Sequence, residues 1–263
     1  MRILCRILLV GVVTLAGPRT GFGQTLLPEL EIYQQETIVK ETGQVRSRLK
    51  GHFQKIAENR YRLIKSGRGD YGKFQNVAWT IESETELRNR ELCPLRTVLT
   101  VKNQDGEIIF TSIAIYDYEQ QRLRVTQRGE KKEHIKEPTF PLKKPVSDHA
   151  SLIYFLKPFI RDLQAGQTVQ FFFLSGEPAQ YSLKARLVGT DKLTVGSQER
   201  ETTKISVTPD MGPLNIIVDK ILPPTLLWYD QKPPHAWLKY QGLECGRGSV
   251  SIVTNVTAIT RLK

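Results

Sequence analysis

Cysteine is scarce in this sequence: three residues in 263, at Cys5, Cys93 and Cys245. None stands two to four residues from another cysteine or from His52, His134, His149 or His235, so the local spacing of a zinc motif is missing and a metal site would have to be gathered entirely by the fold. No metal and no other cofactor is expected. Long apolar runs are absent as well. The longest, Ile7 to Ala16, has about ten residues against the roughly twenty needed to cross a bilayer as a helix, and nothing later is longer. The chain has no internal repeat and no low-complexity tract, which excludes a repeat array. The glycine-rich stretch Ser66-Gly67-Arg68-Gly69-Asp70-Tyr71-Gly72-Lys73 lacks the Gly-Lys-Ser/Thr ending of a phosphate loop, since Phe74 follows Lys73. A long hairpin loop is expected there, and its Arg68-Gly69-Asp70 triplet matches an adhesion tripeptide of a length that chance supplies often.

What is present begins with the N-terminus. Arg2 and Arg6 precede the apolar run, and Gly17, Pro18 and Gly21-Phe22-Gly23 follow it. That is the three-part layout of a secretory signal, with small residues where a signal peptidase needs them. Cleavage near Gly23 is expected, leaving residues 24–263 as a single β-rich exported domain; the alternative is an uncleaved anchor. Cys5 lies ahead of the apolar run, so it cannot be the lipid-bearing cysteine that follows such a run in lipoproteins.

The whole chain carries 38 basic and 27 acidic side chains; losing Arg2, Arg6 and Arg19 and no acid leaves 35 against 27, still +8. For an exported protein nucleic acid is not a routine partner. The charge suits anionic envelope material, or serves solubility alone. Basic residues gather at Arg122, Arg124 and Arg128 and continue at Lys131 and Lys132, diluted by Glu130, Glu133 and Glu137. This is a candidate anionic contact surface, or a solvated edge protected by its charges. In an oxidising compartment Cys93 and Cys245 could form a disulfide, which would contribute about 4 to 5 kcal/mol through its long loop; the alternative is two buried thiols.

Apolar and polar residues alternate from one end of the chain to the other, the pattern of half-buried strands. Strands are predicted at 45–53, 77–88, 95–101, 108–116, 122–128, 169–174, 181–188, 204–208, 214–218, 225–229 and 250–262. In the first, Arg46, Arg48, Lys50 and His52 share a charged outer face. In the second, Glu82, Glu84 and Glu86 form an acidic face, expected to meet arginines such as Arg46 or Arg48 across the sheet rather than to act as paired catalytic carboxylates. Turn residues at Thr42-Gly43, Glu58-Asn59, Asp105-Gly106, Gly189-Thr190-Asp191 and Gly242 predict short connections and an antiparallel meander. One segment departs from this pattern: Leu152, Leu156, Phe159, Ile160 and Leu163 have helical spacing behind Ser147 and Asp148. This predicts one central helix at about 148–163, interrupted by Pro158 and ended by Gly166, after a linker at about 138–146.

Residues Asp148, Ser151, Tyr154 and Leu156, with Leu163 and Gly166 after them, resemble the Asp-x-x-Ser-x-x-Tyr-x-Leu pattern of domain-of-unknown-function family 3108, a family of exported bacterial proteins. Leu227-Trp228-Tyr229-Asp230 with Pro233 and Pro234 is similar to that family's closing motif. Lys157 stands where the family often has arginine. The resemblance implies a mainly β fold, an antiparallel curved sheet or half-barrel around one helix, similar in outline to periplasmic lipoprotein carriers, and a periplasmic or secreted location. It implies no activity.

Ser147, Asp148, His149 and Ser151 supply the residue types of a nucleophile relay, but neighbours on one helical turn point in different directions, and capping accounts for Ser147 and Asp148. No catalytic residue is assigned. Phe155, Phe159, Phe171, Phe173, Trp228 and Trp237 crowd the second half of the chain and are the candidate lining of a groove for an apolar ligand. The expected function is therefore non-enzymatic binding of an apolar or amphiphilic envelope component. The alternatives are an interaction module with a filled core and, less so, an envelope hydrolase. An outer-membrane barrel is weaker still, because the chain ends Arg261-Leu262-Lys263 rather than in the aromatic residue such barrels present.

Overall fold

The computed structural model describes residues 27–129, 139–142, 145–175, 179–212, 224–244 and 249–262. The predicted signal peptide, the predicted strand at 214–218, and Cys245, Lys131 and Lys132 lie outside them.

Alternation produces strands nearly throughout. They are β1 (Leu30–Val39), β2 (Val45–Ala57), β3 (Arg60–Tyr71), β4 (Phe74–Arg88), β5 (Glu91–Lys102), β6 (Ile108–Asp117), β7 (Arg122–Gly129) and β8 (Thr139–Pro141) in the first half. In the second half are β9 (Val146–Asp148), β10 (Val169–Leu174), β11 (Gln180–Val195), β12 (Gln198–Pro209), β13 (Thr225–Asp230), β14 (Trp237–Leu243) and β15 (Ser251–Leu262). All fifteen belong to one sheet in the order β8-β7-β6-β5-β4-β3-β2-β1-β15-β14-β13-β12-β11-β10-β9. Each half is a meander, and the two halves join where β1 pairs with β15. Every pairing is antiparallel except that of β9 with β10. The end strands β8 and β9 are consecutive in the chain, so the chain itself crosses the seam that hydrogen bonds leave open among the described residues.

The curled sheet wraps a helical segment. It consists of α1 (Leu152–Phe155), a 3₁₀ turn (Lys157–Phe159) and α2 (Ile160–Gln164). Pro158 interrupts it as expected, because a proline inside a helix removes a donor and clashes with the preceding turn. Gly166, at φ +83°, ends it in the left-handed region where a side chain would be strained. Leu152 to Leu156, Ile160 and Leu163 are all buried, packing with Phe53, Leu63, Trp79, Leu99, Ile205 and Leu227 of the strands. A second, smaller cluster of Tyr116, Leu123, Val125, Leu142, Val146 and Leu174 fills the seam between β6–β7 and β9–β10.

Several local expectations need correction. The glycine-rich stretch is strand rather than a long loop: β3 runs to Tyr71 and β4 begins at Phe74. The glycines serve close approach, since the ring of Trp79 lies over Gly67 and that of Tyr33 over Gly51. Gly189-Thr190-Asp191 pairs regularly with β12 just after a bulge at Val188, and β11 continues to Val195, so no turn forms there. The stretch read as a linker carries β8 and β9. Glu84 meets Arg62 at 2.9 Å, and Glu86 lies opposite Arg60, so the acidic face is answered by β3 instead of by Arg46 or Arg48. Capping is also redistributed. Asp148 accepts from the backbone N–H of Ser151 at 2.8 Å, whereas Ser147 sits in β9 with its hydroxyl 3.3 Å from that of Ser151.

Candidate ligand-binding trough

Side chains alternate across each strand, so register decides which of them share a face. On the face of β1–β4 turned away from the core, one row runs Glu36, Arg48, Arg68, Ala78, and the next runs Gln34, Lys50, Ser66, Thr80. These rows line an open trough of about 1280 Å³. Arg48 is 71% exposed and reaches Glu36 at 2.8 Å. Arg68 lies directly opposite Arg48 on one side and Ala78 on the other. Six residues earlier on the same face of β3, Arg62 pairs with Glu84. On β3 the charge of Arg62 is thus answered by a facing glutamate, whereas no acid faces Arg68 from either adjacent strand. At the rim of the trough Arg46 is occupied: its guanidinium donates to Glu244 at 2.9 and 2.8 Å, to Asp70 at 3.4 Å and to the Gly72 carbonyl at 2.6 Å.

Aromatic residues proposed for an apolar groove are dispersed. Phe155, Phe159 and Phe171 do come together, with ring centroids 5.6 and 5.0 Å from Phe155, but Phe155 and Phe171 are wholly inside the packed core. Phe173 packs against that core from a half-buried position. Trp237 meets Tyr33 edge-on at 6.2 Å. Trp228 points to the opposite side of the sheet from Leu227 and Tyr229, with its indole N–H donating to Asp191 at 2.7 Å and Lys204 and Lys239 over its ring at 5.1 and 4.9 Å. Arg122, Arg124 and Arg128 are exposed on β7. Cys93 is buried.

Inside the barrel the polar residues of the helical motif are tied down. Asp148 accepts from Thr97 at 2.6 Å, Tyr116 at 2.9 Å and the Ser151 hydroxyl at 2.7 Å. Burial raises its pKa, but neighbouring His149 and these hydrogen bonds outweigh burial and hold the carboxyl below its ordinary value. Among the described residues neither ring nitrogen of His149 has a hydrogen-bond partner, and no Ser-His-Asp relay forms there. Burial pushes His149 down and brings Lys65, whose ammonium donates to the Ala150 carbonyl at 2.9 Å, to about 8. Glu31 accepts from Tyr154 at 2.7 Å, Lys157 at 3.0 Å and Arg261 at 2.8 Å. Tyr229 donates to the Ile153 carbonyl at 3.1 Å, and Asp230 accepts from Arg200 at 2.8 Å and from the Lys232 N–H at 2.9 Å ahead of the cis Pro233-Pro234 bond. Both sequence motifs therefore hold the helix to the sheet.

An incompletely closed antiparallel barrel with an internal helix is the class this architecture defines. The chain belongs to DUF3108, a protein family of unknown function, whose model matches residues 31–255. A β-barrel-like protein of domain of unknown function DUF1849 from Brucella abortus shares its fold at a TM-score of 0.56 and 12% identity, over 90% of this chain and 99% of that one. The hypothetical lipoprotein YmcC from Escherichia coli aligns over 90% of this chain and 89% of its own at 9% identity, with a TM-score of 0.29. No curated protein matches the chain in sequence. No helix among the described residues is long and apolar enough to cross a membrane.

The sequence marked Arg46, Arg48, Lys50 and His52 as one outer face without identifying a site. The register that sets Arg68 against Arg48, and Ala78 beside it, is what makes the trough, and no local signal carries it.

Proposed function

We propose that this protein is an exported, non-enzymatic binding module of the cell envelope that holds an amphiphilic component by its polar head in the trough of β1–β4. The observation that carries this reading is the contrast between the two faces of the sheet. Helix and aromatic side chains fill the inner face, whereas the outer face offers an open volume of about 1280 Å³ with an arginine surplus. The trough is wide open and brings several polar side chains together, which suits a charged head group rather than an enclosed apolar ligand. The filled core supports a second reading, an interaction module whose partner is another envelope protein on the same face.

Native mass spectrometry of protein recovered from an envelope extract, before and after organic-solvent extraction, separates them. A lipid-sized mass that solvent removes, and that Arg48→Ala/Arg68→Ala protein no longer carries, supports the amphiphile. A bare polypeptide mass across several growth conditions favours the interaction module.

A further inference from the structure

Like charges directly opposite one another across an antiparallel pair lie about 5 Å apart at Cβ and destabilise a sheet. Arg48 and Arg68 occupy such a position, and Lys50 follows Arg48 two residues on along the same face of β2. Among the described residues one carboxylate, that of Glu36, answers Arg48. On the other side of Arg68 stands Ala78, where the corresponding neighbour of Arg62 is Glu84. Folding alone gives no reason for this placement. A ligand of opposite charge does.

The donor set indicates its class. Guanidinium groups present fixed forks of N–H donors that match phosphate oxygens, and an ammonium adds a point charge. Arginines at facing positions and one lysine can supply donors for three oxygens, the number a phosphomonoester presents, since Arg48 bonds Glu36 through Nε and keeps its terminal nitrogens for the phosphate. Ser66 and Thr80, in the row beside them, add hydroxyls that suit the polar portion of a head group.

We infer that the trough binds the phosphomonoester head group of an anionic lipid, with Arg48 and Arg68 sharing the phosphate and Lys50 completing its coordination. This deepens the envelope-binding reading and rests on it. Binding is electrostatic at an open surface, so it weakens as salt rises.

The test is flotation of the exported protein with phosphatidylcholine vesicles that carry either phosphatidic acid, a phosphomonoester, or phosphatidylglycerol, a phosphodiester, at matched surface charge. Expected is binding about tenfold tighter to phosphatidic acid, abolished in Arg48→Ala/Arg68→Ala and retained in Arg62→Ala, whose arginine lies outside the trough. The double variant is expected to unfold at or above the wild-type midpoint, because it removes a like-charge pair, so lost binding would not reflect lost folding. Equal binding to both anionic vesicles, or undiminished binding by the double variant, overturns the inference. Glycerol 3-phosphate binding as tightly as the vesicles overturns the assignment to a lipid. A solvent-released lipid without phosphorus, lost in the same double variant, overturns the phosphate class while leaving the envelope-binding reading intact.

Discussion

The ammonium of Lys157 lies 3.0 Å from the carboxylate of Glu31, with side-chain exposures of 0% and 2%, and this pair fastens the helical segment to β1 across the interior of the barrel. Arg261 on β15 donates to the same carboxylate, so the tie also spans the junction between the two halves of the sheet. Removing one member of a buried pair strands a charge, at a cost of about 3 to 5 kcal/mol, whereas replacing both with apolar groups of similar volume costs far less. Glu31→Gln and Lys157→Met should therefore each lower the urea midpoint sharply, and Glu31→Leu/Lys157→Met should recover only part of the loss, because the Tyr154 hydroxyl and Arg261 lose their acceptor. Single variants within about 1 kcal/mol of wild type would show that the tie contributes little.

Acid should loosen the same interior. Burial raises the pKa of Glu31, but Lys157 and Arg261 bring it below its ordinary 4.5; Asp148 likewise ends below 3.8. A carboxyl whose folded pKa is depressed binds fewer protons folded than unfolded. Its stabilisation is present above the unfolded pKa and disappears as pH falls through the folded one. Between pH 7 and pH 3 the wild type should lose stability faster than Glu31→Gln or Asp148→Asn, so the differences measured at pH 7 narrow in acid. Urea melts at the two pH values check this, and parallel losses in all three proteins would contradict it.

Much of the sheet is legible in the sequence because a half-buried strand writes its period directly into the residues. β10 falls at its predicted bounds, and β2, β4, β5, β6, β7, β13 and β15 lie close to theirs. β1 and β3 escape that reading. β1 mixes Gln34, Gln35 and Glu36 across both faces and lies against a bulge at Thr257 of β15, and β3 is punctuated by Gly67 and Gly69, which normally signal loops. The helix and its interruption at Pro158 are legible because period 3.6 and proline chemistry are local. The trough is not, because it depends on which residue of β3 faces which residue of β2.

Two of the strand glycines make a separate prediction. A Cβ at Gly51 would collide with the ring of Tyr33, and one at Gly67 with the ring of Trp79. Both rings are buried, Tyr33 against Trp237 and Trp79 against Tyr71, so neither can swing aside without disturbing a neighbour. Overpacking of this kind costs about 1 to 3 kcal/mol. Gly51→Ala and Gly67→Ala should each lower the thermal midpoint despite alanine's smaller entropic cost, while Gly106→Ala, on an exposed turn at φ +87°, should act through backbone strain alone and leave the ring contacts intact. Unchanged melting of the first two would mean that the rings relocate freely.

At the seam, among the described residues, side chains do the work that backbone hydrogen bonds do elsewhere in the sheet. Leu123 and Val125 on β7 face Leu142, Val146 and Leu174, while Asp148 on β9 reaches Thr97 on β5 and Tyr116 on β6. This cluster is separate from the main core, so weakening it should open the seam before the barrel as a whole unfolds. Leu123→Ala and Leu174→Ala, each costing about 2 to 5 kcal/mol in a packed interior, should speed amide hydrogen exchange in β7, β9 and β10 and leave β2, β3 and β4 protected. Exchange that accelerates equally in all strands would mean that the seam is cooperative with the core, and that the chain crossing from β8 to β9 closes the barrel as firmly as a ladder of hydrogen bonds.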